Sequence, residues 1–193
     1  MAKASAAPAT IAIVCGLGNP DADYERTRHN AGFATVDVLA ARHGVRYWKS
    51  EAGAQVASLA WRGADGEQRE VLLAKPMSYM NTSGGPLSKL ARAHRVAPQQ
   101  ILVVHDEVDL AAGEVRLKLG GGLNAHNGLR SIADKLGSRD FARVQFGIGR
   151  PPGKMQVADY VLRELKGGFL DEFNITAECA ADLVECILTE GAK

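Results

Sequence analysis

The chain has 193 residues, 46% of them hydrophobic and 23% charged, which fits one globular domain with a sizeable core and excludes a disordered or fibrous protein. Cys15, Cys179 and Cys186 lack paired or zinc-type spacing, so we interpret them as small core residues in a reducing cytoplasm. No apolar run reaches transmembrane length, so we expect no membrane association, a disordered leader over 1–10 and a single domain over 11–193.

Short apolar runs alternate along the chain with segments of helical periodicity. Strands are predicted over 11–17, 55–61, 70–75, 101–104, 115–119 and 144–148, and helices over 30–43, from Thr82 or Ser83 to about His94, over 127–136 and over 171–188. The uninterrupted apolar run at 101–104 is typical of a strand buried on both faces of a sheet. The pattern predicts an α/β fold, a mixed sheet flanked by helices, with ligands at the carboxyl ends of strands.

The net charge of +1 conceals an uneven distribution of charge. Between 111 and 154 there are eight basic residues and three acidic ones, whereas between 159 and 190 there are two basic residues and eight acidic ones. A basic stretch of this kind can meet a phosphate backbone while the whole molecule stays near neutral. Solvated surface charge is the alternative interpretation.

The first candidate site follows the first predicted strand. It reads Gly-Leu-Gly-Asn-Pro at 16–20 and continues to Thr-Arg-His-Asn-Ala-Gly at 27–32. Asp21 stands where a dinucleotide-binding loop has its third glycine, so nucleotide binding is not favoured. His29 precedes a helix, whose dipole disfavours the charged imidazolium and therefore suits a neutral base near pH 7. A capping or surface histidine is the alternative.

Two more polar clusters follow predicted strands. The segment 75–81 can form an apolar wall with one inward amide, or it can simply pack at a strand end. The histidine and acids at 105–107 suggest a metal site, but Asp106 and Glu107 are adjacent and face opposite ways on an extended chain. No second acidic cluster completes a ligand shell, so we expect no metal. Asp106 is interpreted as the carboxylate that orients a histidine and fixes its tautomer.

A glycine run at 120–122, between Lys118 and Arg130, leads into the predicted helix at 127. Its backbone N–H groups can bind an anion, or it can be a flexible loop with Asn127 as the helix N-cap. The sequence has no nucleophile elbow and no cysteine in a polar setting. A histidine, a carboxylate and several amides without a nucleophile or a metal indicate direct attack by water on a reactive ester.

These clusters together resemble the bacterial peptidyl-tRNA hydrolase family. The matching residues are Gly-Leu-Gly-Asn-Pro at 16–20, Tyr24, 27–32, Lys-Pro at 75–76, Tyr-Met-Asn at 79–81, Ser-Gly at 83–84, His-Asp-Glu at 105–107, Asp-Leu at 109–110, Gly-Gly-Gly at 120–122, His-Asn-Gly-Leu-Arg-Ser at 126–131, Gly-Ile-Gly-Arg-Pro at 147–151 and Tyr-Val-Leu at 160–162. The resemblance implies a single α/β globule that cleaves the ester between a peptide and the 3′ end of a tRNA. It also implies a cytoplasmic monomer that needs no cofactor and no metal.

The resemblance also assigns expected roles to individual residues. It implies that His29 is the catalytic base and that Asp106 supports it, with Asn19 in the catalytic group. The residues expected to bind the substrate are Tyr24, Tyr79, Met80, Asn81, His126 and Asn127. Lys118 is expected to hold the 5′ phosphate of the tRNA, and either Arg143 or Arg150 is expected to supply the second positive charge.

Two departures from the family pattern fall on the side expected to face the tRNA. Asn124 and Ala125 replace the usual pair of glycines before His-Asn, in a loop that can need unusual backbone angles. Gln145 stands where the family often has an arginine, and it cannot supply that residue's charge. We therefore expect substrate handling to differ more than the chemistry.

Two alternatives remain open at this point. One is a non-catalytic RNA-binding relative of the same fold, which would have no need of Asn19, His29, Asn81 and Asp106 together. The other is a hydrolase of small acyl esters or peptides, against which the basic stretch speaks.

Overall fold

The computed structural model describes residues 9–193, so most of the predicted leader lies outside the described residues. Seven strands are formed: β1 (Ile13–Gly16), β2 (Lys49–Glu51), β3 (Ala54–Arg62), β4 (Gln68–Pro76), β5 (Ile101–Glu107), β6 (Val115–Leu119) and β7 (Ala142–Gly147). The α-helices are α1 (Ala31–Arg42), α2 (Gly84–Ala93), α3 (Asn127–Leu136), α4 (Val157–Leu162) and α5 (Gly168–Glu190). The predicted α/β class is confirmed.

All seven strands form one mixed sheet in the order β2-β3-β4-β1-β5-β7-β6. β1 lies parallel to β4 and β5, and β5 lies parallel to β7, whereas β2, β3 and β6 pair antiparallel to their neighbours. The parallel strands β4, β1, β5 and β7 therefore end at the same edge of the sheet. The polar clusters after β1, β4 and β5 follow these ends, as expected for an α/β fold. The expectation is wrong for the glycine run at 120–122, which begins at the opposite edge because β6 is antiparallel to β7.

Two apolar layers cover the sheet. On one face, α1 and α5 pack over side chains such as Val104, Val144 and Phe146, and on the other face α2 and α3 pack over Ile13 and Val103. Alternate residues of β5 enter opposite layers because side chains alternate along a strand. Its residues are buried throughout, which explains the continuous apolar pattern.

Close backbone packing joins α2 to α3. A Cβ atom at Gly84 would lie 2.1 Å from the carbonyl oxygen of Ser131, and the Gly84 N–H donates to Ser131 Oγ at 2.9 Å. Only glycine allows this approach. α3 ends at Gly137, whose φ of +66° forms a left-handed C-cap.

The structure corrects several sequence-based expectations. β5 runs to Glu107 and not to 104, because His105, Asp106 and Glu107 continue the ladder with β7. β2 and α4 were not predicted. Cys186 is exposed and Cys179 is half-buried, so only Cys15 is a buried core residue. Among residues 9–193, no helix has the length and apolar character needed to cross a bilayer.

Candidate active site

Two glycines bring the start of α1 against the ends of β1 and β5. A Cβ atom at Gly32 would lie 2.1 Å from the Leu17 nitrogen and 2.3 Å from the Val104 oxygen, and one at Gly16 would lie 2.2 Å from the Gly32 oxygen. The short 3-10 turn Arg28–Asn30 immediately precedes α1. This close contact places His29 beside the end of β5, which carries Asp106.

Asp106 holds the imidazole of His29 with both carboxylate oxygens. His29 Nδ1 lies 3.1 Å from Asp106 Oδ1 and 3.0 Å from Oδ2, and the two side chains are 16% and 3% exposed. A carboxylate only accepts, so Nδ1 carries the proton and Nε2 remains available as a base. The predicted pairing of His29 with Asp106 is therefore present in the structure.

The electrostatic environment of His29 differs from the sequence-based expectation. Burial alone would lower the pKa of His29, but the charge of Asp106 and its hydrogen bond together raise that pKa above its usual value. Burial would likewise raise the pKa of Asp106, yet the charges and hydrogen bonds of His29 and His126 hold it well below its usual range. The two contributions of Asp106 to the pKa of His29 together therefore outweigh that of burial.

A second histidine binds the same carboxylate. His126 Nε2 lies 2.9 Å from Asp106 Oδ1, and His126 Nδ1 accepts the backbone N–H groups of Gly128 and Leu129 at 3.1 and 3.4 Å. His126 is thus the N-cap of α3, and Asn127, the cap proposed from the sequence, is its first residue. Because Nδ1 accepts, the proton must lie on Nε2 and point at Asp106.

The tautomer of His126 affects whether His29, Asp106 and His126 can bind a metal ion. Nitrogen and oxygen atoms of His29, Asp106 and His126 lie within 4.8 Å of one another, close enough to surround a metal ion. A metal on His126 Nε2 would have to displace the proton that Asp106 accepts, while the cap bonds occupy Nδ1. The three side chains therefore fit a hydrogen-bonded cluster better than a ligand set.

Behind this cluster lies a third histidine. The ring of His105 packs edge-on against His126 with centroids 5.1 Å apart, and its Nδ1 donates to the Asp106 carbonyl at 2.8 Å. Burial and the neighbouring His126 lower the pKa of His105 to about 3, so it remains neutral. His105 supports the cluster by packing and does not share in its charge.

Asn19 connects the ends of β1 and β4. Its Oδ1 accepts the backbone N–H of Met80 at 2.8 Å, and the residue is only 7% exposed. Asn30 fixes Asn19 in turn, because Asn30 Oδ1 accepts the Asn19 N–H at 2.9 Å and Asn30 Nδ2 donates to the Asn19 carbonyl at 3.0 Å. Sequence reasoning missed Asn30, although its position beside His29 was a possible signal.

The structure brings together the segments at 79–81 and 126–128. A Cβ atom at Gly128 would lie 2.7 Å from the sulfur of Met80, which is buried at the start of α3. Asn81 and Asn127 are exposed, one in the turn Met80–Thr82 and the other opening α3. Of the other residues expected to bind substrate, Tyr79 is 59% exposed, with its hydroxyl 3.3 Å from Asp21 Oδ2, and Tyr24 is half-buried.

The two residues expected to bind phosphate differ in accessibility. Lys118 and Arg143 are paired on β6 and β7, and Lys118 is half-buried. Arg143 is 1% exposed, and its guanidinium donates to the carbonyls of Gly120 and Gly122. The expectation that Arg143 binds phosphate does not fit this burial, because its donors already hold the glycine loop.

A half-buried base with one free nitrogen, set beside a fixed amide, can activate water for direct attack. Among residues 9–193, His29 makes its side-chain hydrogen bonds to Asp106 alone, so no hydroxyl or thiol stands in the position of a nucleophile. The fold and the site therefore suit a hydrolase, since a histidine with a free nitrogen can activate water.

Known proteins identify the family. The family model described as peptidyl-tRNA hydrolase matches residues 13–193. A peptidyl-tRNA hydrolase of Nocardia farcinica is 50% identical over 94% of this chain and 92% of its own length, and one of Frankia alni is 48% identical over 94% and 89%. A crystal structure of the Arg119Gln mutant of the Acinetobacter baumannii peptidyl-tRNA hydrolase superimposes with a TM-score of 0.84 at 33% identity, covering 95% of this chain and 91% of that one. The chain belongs to the peptidyl-tRNA hydrolase family.

Proposed function

We propose that this protein hydrolyses the ester between a peptide, or an N-blocked amino acid, and the 3′ end of tRNA, with His29 as the general base. The observation that carries the proposal is the pair of contacts from His29 Nδ1 to both oxygens of Asp106, because they leave His29 Nε2 free. Family membership supplies the substrate, and the geometry supplies a means of activating water.

The proposed reaction begins with neutral His29. Its Nε2 takes a proton from water, and the resulting hydroxide forms a bond to the ester carbonyl carbon. The negative charge on the carbonyl oxygen is stabilised by N–H donors, of which Asn19 Nδ2 is the candidate because Asn19 Oδ1 is already bound by Met80. The C–O bond to the ribose then breaks, and the imidazolium returns its proton to the leaving 3′ oxygen.

The remaining residues are proposed to hold the two parts of the substrate. Tyr24, Tyr79, Met80, Asn81, His126 and Asn127 surround the peptide, and Lys118 binds the 5′ phosphate of the tRNA. Because phosphate contacts release counterions, affinity should fall as salt rises. We further propose a cytoplasmic monomer that needs no metal, since His126 is held in a tautomer that does not suit metal binding.

The direct test is release of tRNA from N-acetyl-aminoacyl-tRNA by the parent protein, by His29→Ala and by His94→Ala. His94 is a matched control, since it pairs with Glu51 at the surface, away from this cluster. Losing the base should lower kcat by about 100- to 10,000-fold, while the control keeps its rate. Turnover should also survive treatment with a chelator.

The alternative of a non-catalytic RNA-binding relative predicts a different result. Such a protein would bind peptidyl-tRNA without releasing tRNA, and His29→Ala would then leave all measured properties unchanged. Equal turnover by the parent and His29→Ala would also exclude the proposed base.

A further inference from the structure

Two neighbouring carboxylates of β5 hold the short segment 124–126. Asp106 Oδ1 binds His126 Nε2 at 2.9 Å, and Glu107 Oε2 accepts from Asn124 Nδ2 at 2.9 Å. The two acids face opposite ways along the strand, so the segment is attached at two separate points. This arrangement explains how a chain segment that lies outside the sheet can have a fixed position beside it.

Glu107 is the centre of the second attachment. It is 4% exposed, and its three hydrogen-bond donors are the Asp109 N–H at 3.0 Å, Asn124 Nδ2 and Gln145 Nε2 at 3.1 Å. Asn124 and Gln145 donate to the same oxygen, Oε2. Gln145 lies on β7 in regular register with β5, so it provides a fixed support for the Glu107 side chain.

The attached segment has strained backbone angles. Asn124 and Ala125 have φ values of +48° and +59°, a region that asparagine tolerates and that is unfavourable for alanine. Such angles persist where the surroundings hold them. Here Arg143 holds the carbonyls of Gly120 and Gly122 before the segment, and Glu107 and Asp106 hold the segment itself.

We propose that Asn124 and Gln145 are positioning residues that act through Glu107 to fix the approach to His126 and Asn127, and so determine affinity for the peptide part of the substrate. The contact between His29 and Asp106 involves no atom of Glu107, Asn124 or Gln145, so loss of the second attachment acts on KM far more than on kcat. The proposal rests on the proposed function for its substrate, whereas the attachment itself can be measured without turnover.

The test uses Asn124→Asp in two backgrounds. In the parent, the new carboxylate faces Glu107, so the attachment is lost and KM rises about three- to tenfold while kcat stays within about twofold. In Glu107→Gln, the amide at 107 donates to the new carboxylate, and KM returns to the parent value. Glu107→Gln alone raises KM by a smaller factor than Asn124→Asp, since the Asn124 and Gln145 amides must rotate to present oxygen.

These variants distinguish loss of the attachment from electrostatic repulsion of the tRNA as the cause of a higher KM. If added negative charge simply repelled tRNA, Glu107→Gln alone would lower KM by the same factor by which Asn124→Asp raises it, and the two effects would add. Gln99→Glu, an exposed change of equal charge before β5, should leave KM unaltered. Gln145→Met removes one donor at similar volume and should raise KM by a smaller factor.

Hydrogen exchange provides the readout that needs no turnover. The backbone amides of 121–126 should exchange faster in Asn124→Asp and return to the parent rate in the double variant. Additive KM effects, a fall in kcat at constant KM, or unchanged exchange would overturn the proposal. Failure of the parent to release tRNA would overturn the proposed function and leave the exchange result standing.

Discussion

The proposed catalytic cluster and the glycine loop at 120–125 are held in different ways: the cluster lies at the carboxyl ends of β1 and β5, whereas the loop leaves β6 at the opposite edge of the sheet and runs back to the cluster at His126. His29 and Asp106 hold each other by hydrogen bonds, and Asn19 is held by the N–H of Met80. His29 is half-buried, and Asp106 and Asn19 are buried. The loop is fixed from outside, by the side chains of Arg143 and Glu107, and it includes two non-glycine residues at positive φ.

In the proposed mechanism, the cluster determines the chemical step and the loop determines how the substrate is bound. A change in the cluster alters the base, its orientation or the amide beside it, so it should act on kcat. A change around the loop alters how often the segment before His126 takes its binding position, so it should act on KM. We therefore expect larger effects on activity from changes in the cluster than from changes on the side facing the tRNA.

The largest effect after loss of His29 itself is expected for Asp106→Asn. The variant keeps an oxygen for one of the two histidines but loses the charge that raises the pKa of His29. We expect kcat to fall by about 100- to 1000-fold. Because the base acts only when deprotonated, the acid limb of the kcat/KM profile should also move to lower pH. A limb that moves to higher pH, or stays in place, would contradict the proposed role of Asp106.

A smaller loss is expected for Asn19→Asp. This substitution keeps Oδ1, which accepts the Met80 N–H, and replaces the Nδ2 donor proposed to meet the oxyanion with a negatively charged carboxylate oxygen. The expected fall in kcat is about 100-fold, measured at a temperature where circular dichroism shows the variant to be folded. If activity instead falls in step with thermal stability, Asn19 has a structural role alone.

On the side facing the tRNA, the expected effect is smaller again. Lys118→Gln should raise KM about two- to fivefold for substrate with a 5′ phosphate and leave KM unchanged for substrate without it. Lys135→Gln, an exposed change of the same charge on α3, serves as the control and should not distinguish the two substrates. Equal effects of Lys118→Gln on both substrates would argue against a specific phosphate contact.

Much of the fold follows from local patterns in the sequence. The bounds of β6 and α3 were predicted to the residue, because β6 has alternating apolar residues and α3 ends at a glycine. The end of β5 was missed because its last three residues are polar, a pattern that usually marks a loop. Their strand geometry depends on pairing with β7, which local sequence does not reveal.

The sequence predicted most of the residues that form the site, but not the hydrogen bonds that join them. Imidazole is an unusual helix cap, so nothing in the sequence indicated that His126 would cap α3 and also bind Asp106. Glu107 appeared as a metal candidate and in a family motif but with no assigned partner, and its partners Asn124 and Gln145 lie 17 and 38 residues away. The two departures from the family pattern therefore looked independent, although they meet on one carboxylate oxygen.

The central claim is that Asp106 makes His29 the base, and it is tested most directly by titrating the His29 imidazole by NMR beside the pH dependence of kcat/KM. We expect a pKa for His29 above the ordinary value of a histidine and coincident with the acid limb of the rate, and a neutral ring with its proton on Nδ1. A pKa below the ordinary value, a proton on Nε2 in the neutral ring, or a rate that does not follow the titration would contradict the claim.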